Sequence, residues 1–309
     1  MNPQQSLSSL SRLPHEVKLI IVDYAARPDF ERHLHHPRSS YADAVALSAA
    51  CHWMRRVAMR QLLHTVIVES DLQLSLFVRS FHQRFDDHPS RLELDYRRLV
   101  RRLFATNIWE RTVDQVAVDS SDLEATNDVL RGLEAVGVSL EASHLLYNVD
   151  CLALPPLQVD GESYRKVVLT GGPSFRWNPF TTTTDGLAIL SRLTHLGMWD
   201  LPTGAPQSAP SSTVFKDIPF SLMSNLVCFA FPIWHQVGPA EEDRKLEIVL
   251  IKSIAGGSAF QAWSQGVGGS GICVENVYTG WSYGQDVVQS MPDSVHMMVL
   301  AEKAWGVDV

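Results

Sequence analysis

Apolar residues near the start of the chain recur at helical spacing. Leu13, Val17, Ile20, Ile21 and Tyr24 fall at i, i+4, i+7, i+8 and i+11, the stripe of one short helix. Pro14 at the first helical position loses no bond it would have made, and Glu16 suits the positive end of the helix dipole. Pro28 ends the segment, and residues 27–40, rich in His, Pro and Ser, read as a loop. A second helix is predicted from Ser40, its hydroxyl capping the N–H of Asp43, through Leu47, Ala50, Cys51, Met54, Ala58 and Leu62. Two helices of this size bury little alone, so they must pack on the rest of the chain or on another protein.

The pattern then changes. Thr65 to Glu69 reads as a buried strand, and Leu74, Phe77, Val78, Phe81 and Phe85 as a helix face. Leu92, Leu94 and Tyr96 alternate with charged residues as on a half-buried strand. Arg97, Arg98, Arg101 and Arg102, interleaved with Leu99, Val100, Leu103 and Phe104, read as an amphipathic helix with a basic, solvated face. Further strand candidates centre near Val118, Leu146, Leu169, Met198, Phe231, Val249, Val274 and Val299, at intervals of about 18 to 33 residues, mostly in the range of leucine-rich repeats. Leu193 to Met198 and Leu226 to Phe231 carry the apolar-x-x-apolar-x-apolar phrase of such repeats, the first displaced by one position. Helices are predicted at Asp122 to Val136 and Asp185 to Leu193, and alternating strand and helix implies parallel pairing. Such a stack presents a long strand face for protein binding. Gly171 to Thr184 and Pro202 to Ser212 read as surface loops. The expected class is α/β (α+β): a helical module over residues 1–70, then an open, irregular repeat array over 71–309.

Composition narrows the function. Hydrophobic residues make up 45% of 309, enough for a packed core. The net charge of −8 gives no general attraction to nucleic acid or anionic membrane, and neither is expected as a partner. Cys51, Cys151, Cys228 and Cys273 lie far apart, Met1 to Ser11 lacks a leader's basic and apolar segments, and no long apolar run occurs. A cytoplasmic or nuclear protein is expected.

The first seventy residues resemble the F-box family, in the divergent fungal, basidiomycete-type form that precedes a long variable tail. The resemblance rests on Leu13-Pro14-x-Glu16-Val17, Ile20 and Ile21, then Leu47-Ser48-x-x-Cys51-x-Trp53-x-Arg55-x-Val57-Ala58, and Leu62-Leu63-His64-Thr65-Val66-Ile67-Val68 as the exit into a strand. It implies docking to a Skp-type adaptor of a cullin ubiquitin ligase through Leu13, Pro14, Val17, Ile20, Ile21, Leu47, Cys51 and Val57, with a protein target recruited by the repeats and no catalysis by this chain. The family joins its helices by a short turn, whereas residues 27–40 intervene here.

A search for chemistry finds no enzyme pattern. Gly266 to Gly271 has the composition of a phosphate loop, but Ile272 and Val274 predict a strand after it, where a nucleotide loop needs a helix. His33, His35, His36 and Asp29 lack a second ligand cluster, Ser258 and Ser270 lack a nucleophile elbow, and Asp86, Asp87 and His88 read as a solvated helix end. No metal and no cofactor is expected. The tryptophans of the second half, Trp177, Trp199, Trp234, Trp263, Trp281 and Trp305, read mainly as caps on repeat cores. Two alternatives stand beside the adaptor: a compact α/β enzyme, hydrolase-like, with an unrecognised site, and a structural repeat protein whose helices cap the array.

Overall fold

The computed structural model describes residues 12–28, 40–82, 94–105, 132–139, 142, 146, 165–169, 176–199, 215–236, 244–253, 256–265 and 272–283. The expected features at 29–36, 85–88, 118, 202–212, 299 and 305 lie outside these residues.

Three helices come first: α1 (His15–Ala25), α2 (Ala42–Ala50) and α3 (His52–His64). Pro14 is the N-cap of α1 rather than its first residue, with ψ at 150°, and its carbonyl accepts the Lys18 N–H at 3.1 Å. The single helix expected from Ser40 to Leu62 is two. Cys51 is fully extended, with φ −163° and ψ 165°, which breaks the helix and turns α3 away from α2. Ser40 does not cap α2. Its Oγ is buried without a hydrogen bond, while Arg55 Nε holds the Ser48 carbonyl at 2.9 Å across the break.

Strand β1 (Thr65–Val68) follows α3 directly, then α4 (Asp71–His82). The basic stretch is not one helix. A single turn, α5 (Tyr96–Leu99), is followed by strand β2 (Arg102–Ala105), so the strand expected at 92–96 gives way to a helix at Tyr96. Strand β3 (Ala135–Val138) takes the end of the helix expected over 122–136, and β4 (Arg165–Leu169) comes next. The stretch 171–184, expected as a loop, contains α6 (Asn178–Thr182), which buries Phe180. Helix α7 (Thr184–Arg192) is capped by Thr183, whose Oγ1 accepts the Gly186 N–H at 3.0 Å, and runs straight into β5 (Leu193–Met198). A 3₁₀ turn (Phe220–Leu222), β6 (Cys228–Gln236), β7 (Arg244–Ser253), α8 (Gly257–Ser264) and β8 (Ile272–Tyr283) complete the described chain.

The eight strands form one sheet in sequence order, β1 to β8. Pairs from β1 to β6 are parallel, and β6, β7 and β8 are antiparallel, a departure from the parallel pairing expected throughout. The β6–β7 connection is too short for the crossover that parallel strands require. A doubly wound sheet reverses at a switch point, and this order has no reversal.

One face carries the main core. Leu103, Val136, Val167, Leu196, Phe229 and Ile251 form one registered row of it, joined by Ile189 and Leu190 of α7 and Phe260 of α8. Phe229 sits among Phe215, Phe220 and Phe231 with ring centroids 5.4, 5.1 and 5.4 Å away. Aromatic pairs at such separations add to simple burial. The helical module has a far smaller centre, Ala26, Ala44 and Ala58, flanked by Leu47 and Leu62. It is tied to the sheet by the Tyr41 hydroxyl, which donates to the Thr65 carbonyl. Burial pushes the Tyr41 pKa up, so this donor stays protonated.

Candidate functional site

Alanines cannot cover the larger side chains around them, and α1 shows the consequence. Val17 is 38% exposed, Ile20 67%, Ile21 42% and Tyr24 73%. They share one face of the helix at i, i+3, i+4 and i+7. Only Val22 of α1 is buried. A stripe that wide, left outside on a helix that is otherwise anchored, has the form of an interaction surface.

Beside it, α1 and α3 enclose a groove of about 590 Å³, lined by His15, Ile20, Asp23, Trp53, Arg56 and Val57 among others. Its walls are held in register. Gln61 Nε2 of α3 donates to Asp23 Oδ1 of α1 at 2.8 Å, and the His15 and Trp53 rings meet edge to face at 6.3 Å. Arg56 and Arg60 stand one turn apart on the α3 wall. The groove therefore combines an apolar rim with a wall that carries two arginines, with Asp23 also in its lining.

The residues that the resemblance assigns to adaptor docking divide. Pro14, Val17, Ile20 and Ile21 are exposed on or before α1, and Val57 faces Ile20 across the groove. Leu13 is half-buried. Leu47 packs on the alanine cluster, and Cys51 sits half-buried at the break between α2 and α3. Tyr24, Trp53 and Arg60 join the surface although none is among the assigned docking residues; of the three only Trp53 belongs to the motif. Tyr24 was legible as the end of the apolar stripe, and Arg60 as a cation at helical spacing from Arg56.

A second polar constellation lies on the sheet face opposite the main core. Strand register aligns Thr65, Arg102, Ala135, Lys166, His195, Cys228, Lys252 and Cys273 in one row. Arg102, Lys166 and His195 are half-buried and Lys252 is exposed. Burial and then the neighbouring Lys166 push the His195 pKa down to about 4, so its ring is neutral at neutral pH. Burial, then Arg102, lowers Lys166, and burial lowers Arg102 against the opposing pull of Glu134. Glu134 itself pairs with Arg101 at 3.6 Å.

The next row on this face is Ile67, Phe104, Gly137, Val168, Gly197, Ala230, Leu250 and Glu275. Phe104, Val168, Ala230 and Leu250 are buried, so the long open strand face expected of the array is closed along this row. Phe104 lies over Gly137, where any Cβ would overlap its ring. Trp199 folds back over Gly197, with Nε1 3.3 Å from where a Cβ would stand.

Other expected features resolve simply. The glycine stretch 266–271 is preceded by helix α8 and followed by strand β8, the reverse of the order that a phosphate loop requires. Ser258 lies exposed on α8. No cluster of three metal-ligating side chains occurs among the described residues, and no described helix is long and apolar enough to cross a membrane. No family model, curated protein or solved structure matches the chain.

Proposed function

We propose that this chain is a non-catalytic recruiting adaptor. Its helical module, F-box-like in the sense of the sequence resemblance, docks a Skp-type subunit of a cullin ubiquitin ligase, and its strand array, of degenerate leucine-rich type, holds the protein to be modified. One observation carries the reading: Val17, Ile20, Ile21 and Tyr24 stay outside on α1, alongside a groove with a cationic wall. Fully burying one such side chain under a partner is worth about 1.5–3 kcal/mol, so a few of them supply a useful affinity. The sequential, mainly parallel strand order supports the array half of the proposal, because stacked repeats pair each strand with its sequence neighbours.

The break at Cys51 also favours this reading. It gives the module three short helices instead of two, of which the first and third line the groove. Calorimetric titration of the full chain with a purified Skp-type adaptor tests it. The expected result is a stoichiometric complex with a negative heat-capacity change, the mark of apolar burial. Absence of binding at adaptor concentrations of about 100 μM, where even weak complexes form, leaves the helices as a structural cap and removes the proposal.

A further inference from the structure

We propose that the α1–α3 groove selects an acidic helix of the partner. The apolar stripe of that helix lies on Ile20, Trp53 and Val57, and carboxylates one turn apart beside the stripe meet Arg56 and Arg60. The docking itself rests on the adaptor reading above; the chemistry of the partner's contact surface goes beyond it.

Charge is spread unevenly along this chain. Residues 12–28 and 40–64 carry six Lys and Arg side chains against three Asp and Glu, in a chain whose net charge is −8. Arg56 and Arg60 line the groove, with His52 one turn before them, and all three side chains are exposed. Among the described residues neither guanidinium has a hydrogen-bond or ion-pair partner, whereas Arg55 holds the Ser48 carbonyl and Arg101 pairs with Glu134. Two such cations beside an apolar surface are the complement of an apolar stripe flanked by carboxylates.

Asp23 is the carboxylate among the described residues of the groove lining. It is committed to the fold, because its Oδ1 accepts the Gln61 amide at 2.8 Å. Asp23 meets Gln61 and His15 meets Trp53 at the same sequence offset, so α1 and α3 run side by side in one direction. Asp23 therefore stands just beyond Arg60 at one end of the groove. Arg56 lies a turn back, level with Lys18 and Leu19.

Shape chooses a helix as the occupant. The groove runs between two parallel helices from His15 to Asp23, about 12 Å at 1.5 Å per residue. Arg56 and Arg60 repeat at helical pitch, so residues i and i+4 of a helix laid alongside meet them together. Ile21 and Tyr24 continue the apolar contact past the groove, with Arg27 over the Tyr24 ring at 5.5 Å. Helix-in-groove docking through anchors at i, i+3, i+4 and i+7 uses this geometry. An anionic membrane fits less well. Its surface is flat, the arginines line a concavity, and Glu16 is exposed on α1. A polynucleotide is repelled by the acidic chain as a whole.

The test uses the full chain and a fluorescein-labelled amphipathic helical peptide, read by anisotropy at low salt. The peptide has leucines at i, i+3, i+4 and i+7 and glutamates one turn apart beside them. One control carries glutamine for glutamate. A second keeps the composition and moves the glutamates to the face opposite the leucines. The first peptide should bind about fivefold or more tighter than either control and lose that advantage in added salt, since exposed ion pairs are individually weak and screened. Arg56→Gln with Arg60→Gln should abolish the preference. Arg56→Glu with Arg60→Glu should reverse it, so that a lysine version of the peptide binds better than the glutamate one while the melting temperature stays at the parent's value. Ile20→Asp should weaken every peptide alike. Equal binding of the first peptide and either control, or no binding of the first peptide, overturns the proposal. So does binding to vesicles of phosphatidylcholine and phosphatidylserine that the double glutamate variant abolishes, which would make the face a membrane site. The adaptor reading fails separately. A chain that binds the glutamate peptide and no Skp-type adaptor keeps this groove chemistry and loses that partner. A chain that binds the adaptor with an affinity the double glutamate variant leaves unchanged keeps the partner and loses this inference.

Discussion

The helical module and the strand array treat bulky apolar residues in opposite ways. In the array, phenylalanines and leucines are inside. Phe104, Phe220, Phe229, Phe260 and Leu196 are all essentially sealed from water. In the module the buried centre is three alanines, and the isoleucines and tyrosine of α1 face out. Burial of apolar area is what holds a domain together, so the array stabilises itself and the module leans on it through Leu63, Met59 and the Tyr41–Thr65 bond. The module spends its large side chains on a surface. A region that contributes little to its own stability and keeps its apolar residues outside is what the proposed adaptor role requires.

The contrast can be broken most forcefully in the array. Phe229→Ala removes a ring that touches three other phenylalanines and should cost about 3–5 kcal/mol, read as a lower urea midpoint. A loss under about 1 kcal/mol would mean the array does not carry the fold. Gly137→Ala should cost about 1–3 kcal/mol, because its Cβ has to displace the Phe104 ring. Replacing Phe104 by Leu in the same chain should recover part of that loss if the overlap is its cause.

Protons sharpen the contrast next. His195 titrates near pH 4 when folded and near its ordinary 6.5 when unfolded. Between these values the unfolded chain binds a proton that the folded chain refuses. Stability is therefore flat above about pH 6.5 and falls as the pH drops toward 4, by at most about 2 kcal/mol after allowance for solvent screening. Lys166 on β4, Thr194 Oγ1 at 3.0 Å and Cys228 on β6 are among the groups that face this ring. His64, lowered by burial and Arg102, adds a slope of the same sign. His195→Asn should flatten part of the profile in thermal melts from pH 4 to 8. An unchanged profile would place the ring in water.

The sequence made these regions unequally legible. Periodicity located α1, α4 and α7, because each carries a one-sided apolar face over at least two turns. Short apolar stretches around Met198, Phe231, Val249 and Val274 located β5 to β8. β2 and β3 were hidden. Each has four residues, and central parallel strands are buried on both faces, so neither alternates in polarity. Arg102 also read as part of a basic helix face, because its neighbours in the structure, Lys166 and His195, come from strands far along the chain. The α1 stripe was visible as a pattern. What the pattern left open was which way it faces, since an amphipathic helix looks the same whether its stripe meets the fold or a partner. Leu47 answers in the opposite sense: its motif position suggested docking, and it packs on the module's own alanines.

The smallest stability effect therefore tests the largest claim. Val17→Asp combined with Ile20→Asp places two charges on the outward face of α1, where their effect on folding should stay within about 0.5 kcal/mol apiece. Leu13 is a poorer choice because it is half-buried. The decisive measurement is the melting temperature and the Skp-type adaptor affinity of this double variant, taken on the same preparation. The account predicts a melting temperature within a few degrees of the parent chain and complete loss of adaptor binding. A variant that unfolds, or one that binds the adaptor as well as the parent does, would contradict it.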